Sequence, residues 1–290
     1  LKILDIAKNP NYNIKHIFEA LVLGVRDYFK KMNFKKAIIG SSGGIDSAVT
    51  IAIAVQALGN ENVETVLMPS MYSSTSSVED AILLSKNLNI NYSIVAIEKI
   101  YHAFLQELSP LFGNLPFSLA EENLQSRIRG NILMSLANKF GYILLNTSNK
   151  SELAMGYGTL YGDMAGGLSV LGDCYKLQVY ALANYINNSA EIIPINIISK
   201  APSAELRPNQ KDSDSLPDYV ILDSILYQWI DQNKTMEDII KSGIPTETVR
   251  FVIDGFSKQE FKRQQFCPIL RVSTKAFGEG RKIPIVAKYG

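Results

Sequence analysis

Cysteine is nearly absent from this 290-residue chain; there are two, Cys174 and Cys267. Two thiols exclude a disulfide framework, and their separation matches no zinc motif. The expectation is a cytoplasmic protein with reduced, inert cysteines. Histidine is equally scarce. His16 and His102 fall in helical patterns and read as structural. Long hydrophobic runs are missing too. None approaches the roughly 20 apolar residues that span a bilayer, and the opening "LKILDIAKNPNYN" lacks the apolar core of a secretion signal. Charge of one sign is also lacking: 29 Lys and Arg against 28 Asp and Glu leave a net +1. That argues against a general nucleic-acid or membrane-surface binder. What remains is 47% hydrophobic and 20% charged, the composition of a soluble globular protein with a substantial core. Leu1 stands in place of a start methionine, so a processed chain or a piece of a longer one is expected.

Helical and strand patterns alternate through the first half. "IKHIFEALVLGVRDYFKKMN" carries apolar residues at helical spacing, with Lys30 and Lys31 near its C-terminal end. "KAIIGS", "VETVLMP", "YSIVAI" and "YILLNTS" read as strands. "IDSAVTIAIAVQALG", "SVEDAILLSKNLN", "EKIYHAFLQEL" and "LAEENLQSRIRGNILMSLANKFG" read as helices, with "SSTSS" as a capped loop and "SPLFGNLPF" as a Pro/Gly-rich one. Such alternation predicts an α/β fold, a doubly wound parallel sheet covered on both faces. Beyond about Asn149 the strands fade. "NKSELAMGYGTLYGDMAGG" is glycine-rich and irregular. "KLQVYALANYIN", "YVILDSILYQWIDQ" and "ETVRFVIDGFSKQEFKRQQ" read as helices. With no repeat and no linker, residues 1–290 read as one domain with a helical C-terminal part. "KAPSAELRPNQKDSDSLPD" (200–218) is too polar and proline-rich for the core, and loops of that length are commonly functional.

The chemistry concentrates where "KAIIG" gives way to "SSGGIDSAV". A strand, a turn containing Gly43 and Gly44, and a buried helix place free N–H groups and a positive dipole end beside a close-approach backbone. That is an anion site suited to phosphate. Ser41, Ser42 and Ser47 add hydroxyl donors. Asp46 would repel phosphate unless Mg²⁺ stands between them. The bland alternative is a glycine turn with an N-cap acid.

The complete string "SGGIDS" resembles the SGGxDS signature of the PP-loop ATP pyrophosphatases and, with no Lys-Ser/Thr after the glycines, differs from a Walker loop. Three further blocks, "ENLQSRIRGNILMSLANKFG", "NTSNKSELAMGYGTLYGDMAGG" and "KAPSAELRPNQKDSDSLPDY", resemble the NAD synthetase family. The likeness runs in order from about Ile17 to "KIPI", and is closer to the synthetase half of the glutamine-dependent enzymes than to the short ammonia-only ones. It implies a Rossmann-like fold of the adenine-nucleotide alpha-hydrolase type and a ligase converting deamido-NAD, ATP and ammonia to NAD, AMP and pyrophosphate. It implies that Gly40, Ser41, Ser42, Gly43, Gly44, Ile45, Asp46 and Ser47 hold the ATP pyrophosphate. Thr147 and Ser203 would contact ATP, and Lys176 its phosphates. Asp46 and Glu152 would hold Mg²⁺. Asn123, Arg127, Glu152 and Lys262 would meet deamido-NAD, and Asp163 would stand near the incoming ammonia. Asp46, Lys176 and Asp163 are the implied catalytic set. A homodimer is implied as well. So is the absence from these residues of the glutamine-hydrolysing domain, which would lie in a separate segment or subunit. The short enzymes carry a lysine where this chain has Leu160, so that contact does not transfer.

Local sequence leaves other roles open. Glu152 suits a helix start, Lys176 a first helical turn, and Asp163 a cap in a glycine-rich loop. Arg127, Arg129 and Lys262 suit solvated helix faces, and Thr147 a strand-end turn. Two competing functions stay open. One is another PP-loop pyrophosphatase, which as a tRNA enzyme would want a basic surface. The other is a nucleotide-binding module without chemistry. Residues 200–218 are expected to be mobile without ligands and to close over bound ATP.

Overall fold

The computed structural model describes residues 13–208, 210–281 and 283–285. Helix α1 (Ile14–Met32) starts at Asn13, whose side chain accepts from the Lys15 and His16 amides, and it buries Ile17, Leu21, Val25 and Phe29. That i, i+4, i+8 stripe packs it chiefly against the next helix of the chain. Strand β1 (Ala37–Gly40) follows and runs into α2 (Ile45–Leu58), which is apolar on nearly all sides and correspondingly buried. The chain continues through β2 (Val63–Leu67), α3 (Thr75–Asn87), β3 (Asn91–Ile94), α4 (Glu98–Phe112), α5 (Leu119–Phe140) and β4 (Ile143–Asn146). The "SSTSS" segment does cap a helix: the Ser74 hydroxyl accepts from the Ser77 amide at the start of α3. Helix α4 outruns its expected end and passes Pro110. Proline has no N–H for the Gln106 carbonyl, and because Gln106 and Pro110 are exposed, water can take that place.

All pairings within the sheet are parallel, and its order is β3-β2-β1-β4 plus a fifth strand, β5 (Leu168–Ser169). The doubly wound α/β reading therefore holds. The two-residue β5, paired to Leu145 and Asn146, lies just past the segment read as irregular and is too short for a periodic signal. Residues of β1 alternate between the sheet's two faces. Ala37 and Ile39 join the core formed with α1, α2 and the later α7 (Lys176–Ile186), while Ile38 joins the core formed with α5 and Tyr101 of α4.

Between β4 and β5 lies α6 (Lys150–Met155), capped reciprocally by Asn149 and Glu152. After α7 and α8 (Ile195–Ser199), residues 200–208 and 210–218 lie in the long loop, with a 3₁₀ turn at Asp212–Asp214. The C-terminal part is helical as expected: α9 (Tyr219–Leu226) widening into a π turn at Tyr227–Asp231, then α10 (Met236–Lys241), α11 (Thr246–Lys258) and α12 (Glu260–Arg263). The sequence pattern over 247–265 predicts one helix; the chain breaks at Gln259 instead. The break lets the buried Arg263 donate to the Ala154 carbonyl at 2.8 Å and to the Phe256 carbonyl at 2.6 Å, joining this layer to α6. A third apolar core unites α6, α9 and α11. The fully buried Lys150 bridges Asp173 (2.9 Å), Asp231 (3.4 Å) and the Ser273 hydroxyl (3.0 Å).

Candidate active site

The chain winds from β1 to β2 and β3 on one side, and to β4 and β5 on the other. Ligands of open α/β sheets sit outside the strand ends where the order reverses. Here the reversal lies between β1, ending at Gly40, and β4, ending at Asn146. A cavity of about 560 Å³ opens there, and residues 40–47 line it.

Its floor is the turn into α2. Gly43 has φ +76, and a Cβ on it would stand 2.1 Å from the Ser77 carbonyl oxygen, so only glycine fits. Gly44 is the N-cap of α2, and no side chain caps that helix, leaving first-turn amides for an anion. Ser42 and Ser47 hydroxyls lie 3.1 Å apart, and Ser47 donates to the Gly44 carbonyl at 2.9 Å. The turn is thus formed before any ligand arrives.

Three elements meet behind it. Lys176, the first residue of α7, extends its ammonium to Asp46 at 2.5 Å and to Glu152 at 3.4 Å. Asn149 donates to the other Asp46 oxygen at 2.8 Å. Glu152 helps start a helix, one of the roles open to it: one oxygen caps α6, accepting from the Asn149 amide at 3.3 Å, and the other faces Lys176. Burial, with Asp46 adding like-charge repulsion, pushes the Glu152 carboxyl up to about 8. For Lys176, burial opposes the charged form, but Asp46 and Glu152 outweigh it and hold the ammonium above its ordinary range. The lysine lies 5.2 Å above the Tyr219 ring, and the Tyr219 hydroxyl donates to Asp212 at 2.9 Å.

On the opposite wall, Thr159 donates its amide to Asp163 at 2.9 Å and its hydroxyl to Asn123 at 2.8 Å. Burial raises the Asp163 carboxyl, against the hydrogen bonds from Thr159 and the charge of Lys262. Lys262 donates to the Gly156 and Gly158 carbonyls at 2.7 and 2.8 Å. From the long loop, residues 200–206, 210, 212 and 215 line the cavity. Glu205 accepts from both Ser74 and Ser77 hydroxyls, at 2.9 and 2.8 Å, and pairs with Lys200 at 3.1 Å. Gln125 donates to the Leu206 carbonyl at 2.8 Å. Ser203 reaches back to the Gln210 carbonyl at 2.5 Å.

Residues 40–47, Asn123, Thr147, Glu152, Asp163, Lys176, Ser203 and Lys262 all line this one cavity. Arg127 does not. It is exposed, and its Nε donates to the Leu160 carbonyl at 3.3 Å. The cavity-facing residues of α5 run from Glu122 and Asn123 through Ser126, Arg129 and Gly130. At about 100° per residue, Arg127 falls just past the edge of that face. Asn149, Asp212, Tyr219 and Arg129 join the site without being among the residues that the sequence points to. The Asn149–Glu152 spacing is a capping-box signal that points to the first. The others come from a loop, the helix after it and a helix face, none with a local signature.

Residues 17–266 match the NAD synthase family. The chain belongs to that family. The glutamine-dependent NAD(+) synthetase of Synechocystis sp. is 50% identical over 284 residues, which are 98% of this chain and 51% of the relative. The solved glutamine-dependent NAD+ synthetase of Acinetobacter baumannii, in complex with ADP, is 43% identical with a TM-score of 0.65, covering 95% of this chain and 50% of that one. The NH3-dependent NAD synthetase of Campylobacter jejuni is 28% identical with a TM-score of 0.70, covering 87% of this chain and 96% of that one. The chain thus spans about half the length of the curated relatives it matches. Among the described residues, no helix is long and apolar enough to cross a membrane.

Proposed function

We propose that this NAD synthase family chain amidates deamido-NAD, using ATP and ammonia and releasing NAD, AMP and pyrophosphate. The observation that carries the reading is the convergence of Asp46, Glu152 and Lys176 behind a glycine turn at the sheet's switch point. A nicotinate carboxylate oxygen attacks the ATP α-phosphorus, and the bond to pyrophosphate breaks. Residues 40–47 hold the leaving pyrophosphate through amides and hydroxyls, and Lys176 neutralises charge on the phosphate oxygens. Two hard carboxylates in the first turns of α2 and α6 fit Mg²⁺, so Asp46 and Glu152 would hold it. The ion supplies charge neutralisation for the phosphates. Neutral NH₃ then attacks the acyl carbon and AMP leaves. Asp163 is the group suited to take the surplus proton. Asn123 and Lys262 bind the dinucleotide, with Arg127 reaching it only from the rim. Thr147 and Ser203 bind ATP, and residues 200–218 shield the acyl-adenylate from water.

The reading extends to a cytoplasmic homodimer. Leu111, Leu115, Phe117 and Leu119 are about half exposed or more, and Leu119 also edges the cavity, which supports a partner copy docking beside the site. The test is pyrophosphate and NAD formation from ATP, Mg²⁺, deamido-NAD and ammonia. Both products are expected in equal amounts. Pyrophosphate without NAD, or neither product, would refute the assignment.

A further inference from the structure

A second charged cluster lies behind the cavity. Its members Lys150, Asp173 and Asp231 do not line that cavity. Their side chains are 0%, 0% and 5% exposed. Besides its contacts with Asp173, Asp231 and Ser273, the Lys150 ammonium stands 4.8 Å above the Tyr175 ring, and the Tyr175 hydroxyl donates to Asp231 at 2.5 Å. Asp173 also accepts from the Val272 and Ser273 amides at 2.8 and 2.6 Å and from the Ser273 hydroxyl at 2.8 Å. The other Asp231 oxygen is buried with no hydrogen-bond partner among the described residues.

Two carboxylates and an ammonium withdrawn from water are costly, and apolar side chains of similar volume commonly replace such a cluster without loss of stability. Its place in the fold offers another reason for it. Lys150 is the first residue of α6. Before it stands Asn149, which donates to Asp46; after it stands Ser151, whose hydroxyl accepts from the Lys176 amide at 2.9 Å, and then Glu152. The Lys150 amide donates to the Cys174 carbonyl at 2.8 Å, between Asp173 and the start of α7. Main chain and side chain of Lys150 thus fasten the start of α6 to the segment that leads into α7. Asp231 and Ser273, 81 and 123 positions away, bring the C-terminal part into the same clamp.

Resting on the function proposed above, we infer that Lys150 is a positioning residue: its ammonium, clamped by Asp173 and Asp231, fixes the first turn of α6 against the start of α7 and so aims Asn149 and Glu152 at Asp46 and Lys176. It acts through those residues and touches no substrate. A displacement of about an ångström in such a constellation lowers turnover by up to about 10²-fold.

The experiment compares wild type with Lys150→Met and Lys150→Met/Asp231→Asn. The single variant strands two buried carboxylates, so its melting temperature should fall. The double variant removes one charge of each sign and leaves Asp173 its donors from Val272 and Ser273, so it should melt closer to wild type. NAD formation is measured at varied ATP and deamido-NAD, and amide hydrogen exchange is followed over residues 149–155 and 174–178, with α2, which belongs to a different core, as the internal standard. In the double variant kcat is expected to fall about tenfold or more while both KM values stay within about threefold. Exchange should quicken over the two segments and hold in α2. A folded double variant with wild-type kcat and wild-type exchange would overturn the inference. So would exchange quickened equally in α2, which marks a general loss of stability, or raised KM values at unchanged kcat. If neither variant folds, Ser273→Ala, which removes only the hydroxyl shared by Lys150 and Asp173, decides on the same readouts: a lower kcat with local quickening supports the clamp, and wild-type values overturn it. A wild-type chain that forms no NAD would refute the function, and hydrogen exchange, which needs no turnover, would then decide the clamp on its own.

Discussion

Lys176 is 2% exposed, and Asp46 and Glu152 outweigh the burial that opposes its charge. Removing one carboxylate therefore disturbs the lysine as well as any bound Mg²⁺. Asp46→Asn is expected to keep the fold, since Asp46 sits at the cavity wall outside the three apolar cores. Turnover should fall by about 10²-fold or more, as when a group that stabilises transition-state charge is lost. Pyrophosphate release, with circular dichroism to verify folding, measures this; wild-type rates in a folded variant would refute the Asp46 role. Asp223 acts one layer further out. It accepts from the Ser151 hydroxyl at 2.5 Å and from the Leu177 amide at 2.9 Å, locking the residues that adjoin Glu152 and Lys176. Burial pushes its carboxyl up to about 7. A native carboxyl raised above its ordinary 3.8 binds its proton more tightly folded than unfolded. Its contribution is fully present below about pH 4 and is lost as pH rises through about 7. The stability of wild type relative to Asp223→Asn should therefore be largest near pH 4 and shrink toward pH 8. Melting curves across that range check the sign.

The glycine turn is a rigid element whose demands differ from one glycine to the next. Gly43 combines positive φ with a contact that forbids a Cβ, whereas Gly141, also at positive φ, has nothing within 4 Å of one. Gly43→Ala is expected to cost at least ~2 kcal/mol and to abolish ATP binding, while Gly141→Ala costs only the ~1–2 kcal/mol of a left-handed residue and leaves ATP binding intact. Urea unfolding and ATP titration of both variants make the comparison. Equal losses at the two positions would show that backbone conformation, and not the approach of Ser77, sets the requirement. The long loop, residues 200–208 and 210–218, gives the opposite lesson. Its polarity marked it as a loop, but its grip on α3 runs through Glu205 to Ser74 and Ser77, about 130 positions away. No local pattern encodes such a contact.

Across the whole molecule, the sheet brings the ends of β1 and β4 together, and with them residues 103 positions apart such as Asp46 and Asn149. Nitrogen supply is the property of this 290-residue chain most open to direct test. Cys174 is buried with its thiol raised beyond the ordinary range, by burial and then by Asp173; burial pushes the Cys267 thiol up to about 12. Neither is a ready thiolate nucleophile. The chain assayed alone is therefore expected to form NAD with ammonia and not with glutamine. At limiting total ammonia the rate should climb with pH within the stable range, because only NH₃ attacks. Added glutaminase should restore synthesis from glutamine through free ammonia. Glutamine-driven synthesis by the chain alone would contradict this.

The sequence by itself determined the alternation of strand and helix, the anion-binding turn at "SGGIDS" and the family. These are written in local periodicity, in glycine placement and in contiguous strings, and they need no knowledge of what lies across the fold. The tertiary structure alone decided which charges meet. Lys176 became the partner of Asp46 because α7 begins beside α2 at the sheet's edge of reversal, and Glu152 became both cap and site carboxylate because α6 starts there too. The rotation of α5 turned Arg129 inward and left Arg127 at the rim. Pairings of this kind depend on the crossing of distant elements, where a few ångströms decide between an ion pair and a solvated side chain, and that distance is not a property of any one stretch of chain.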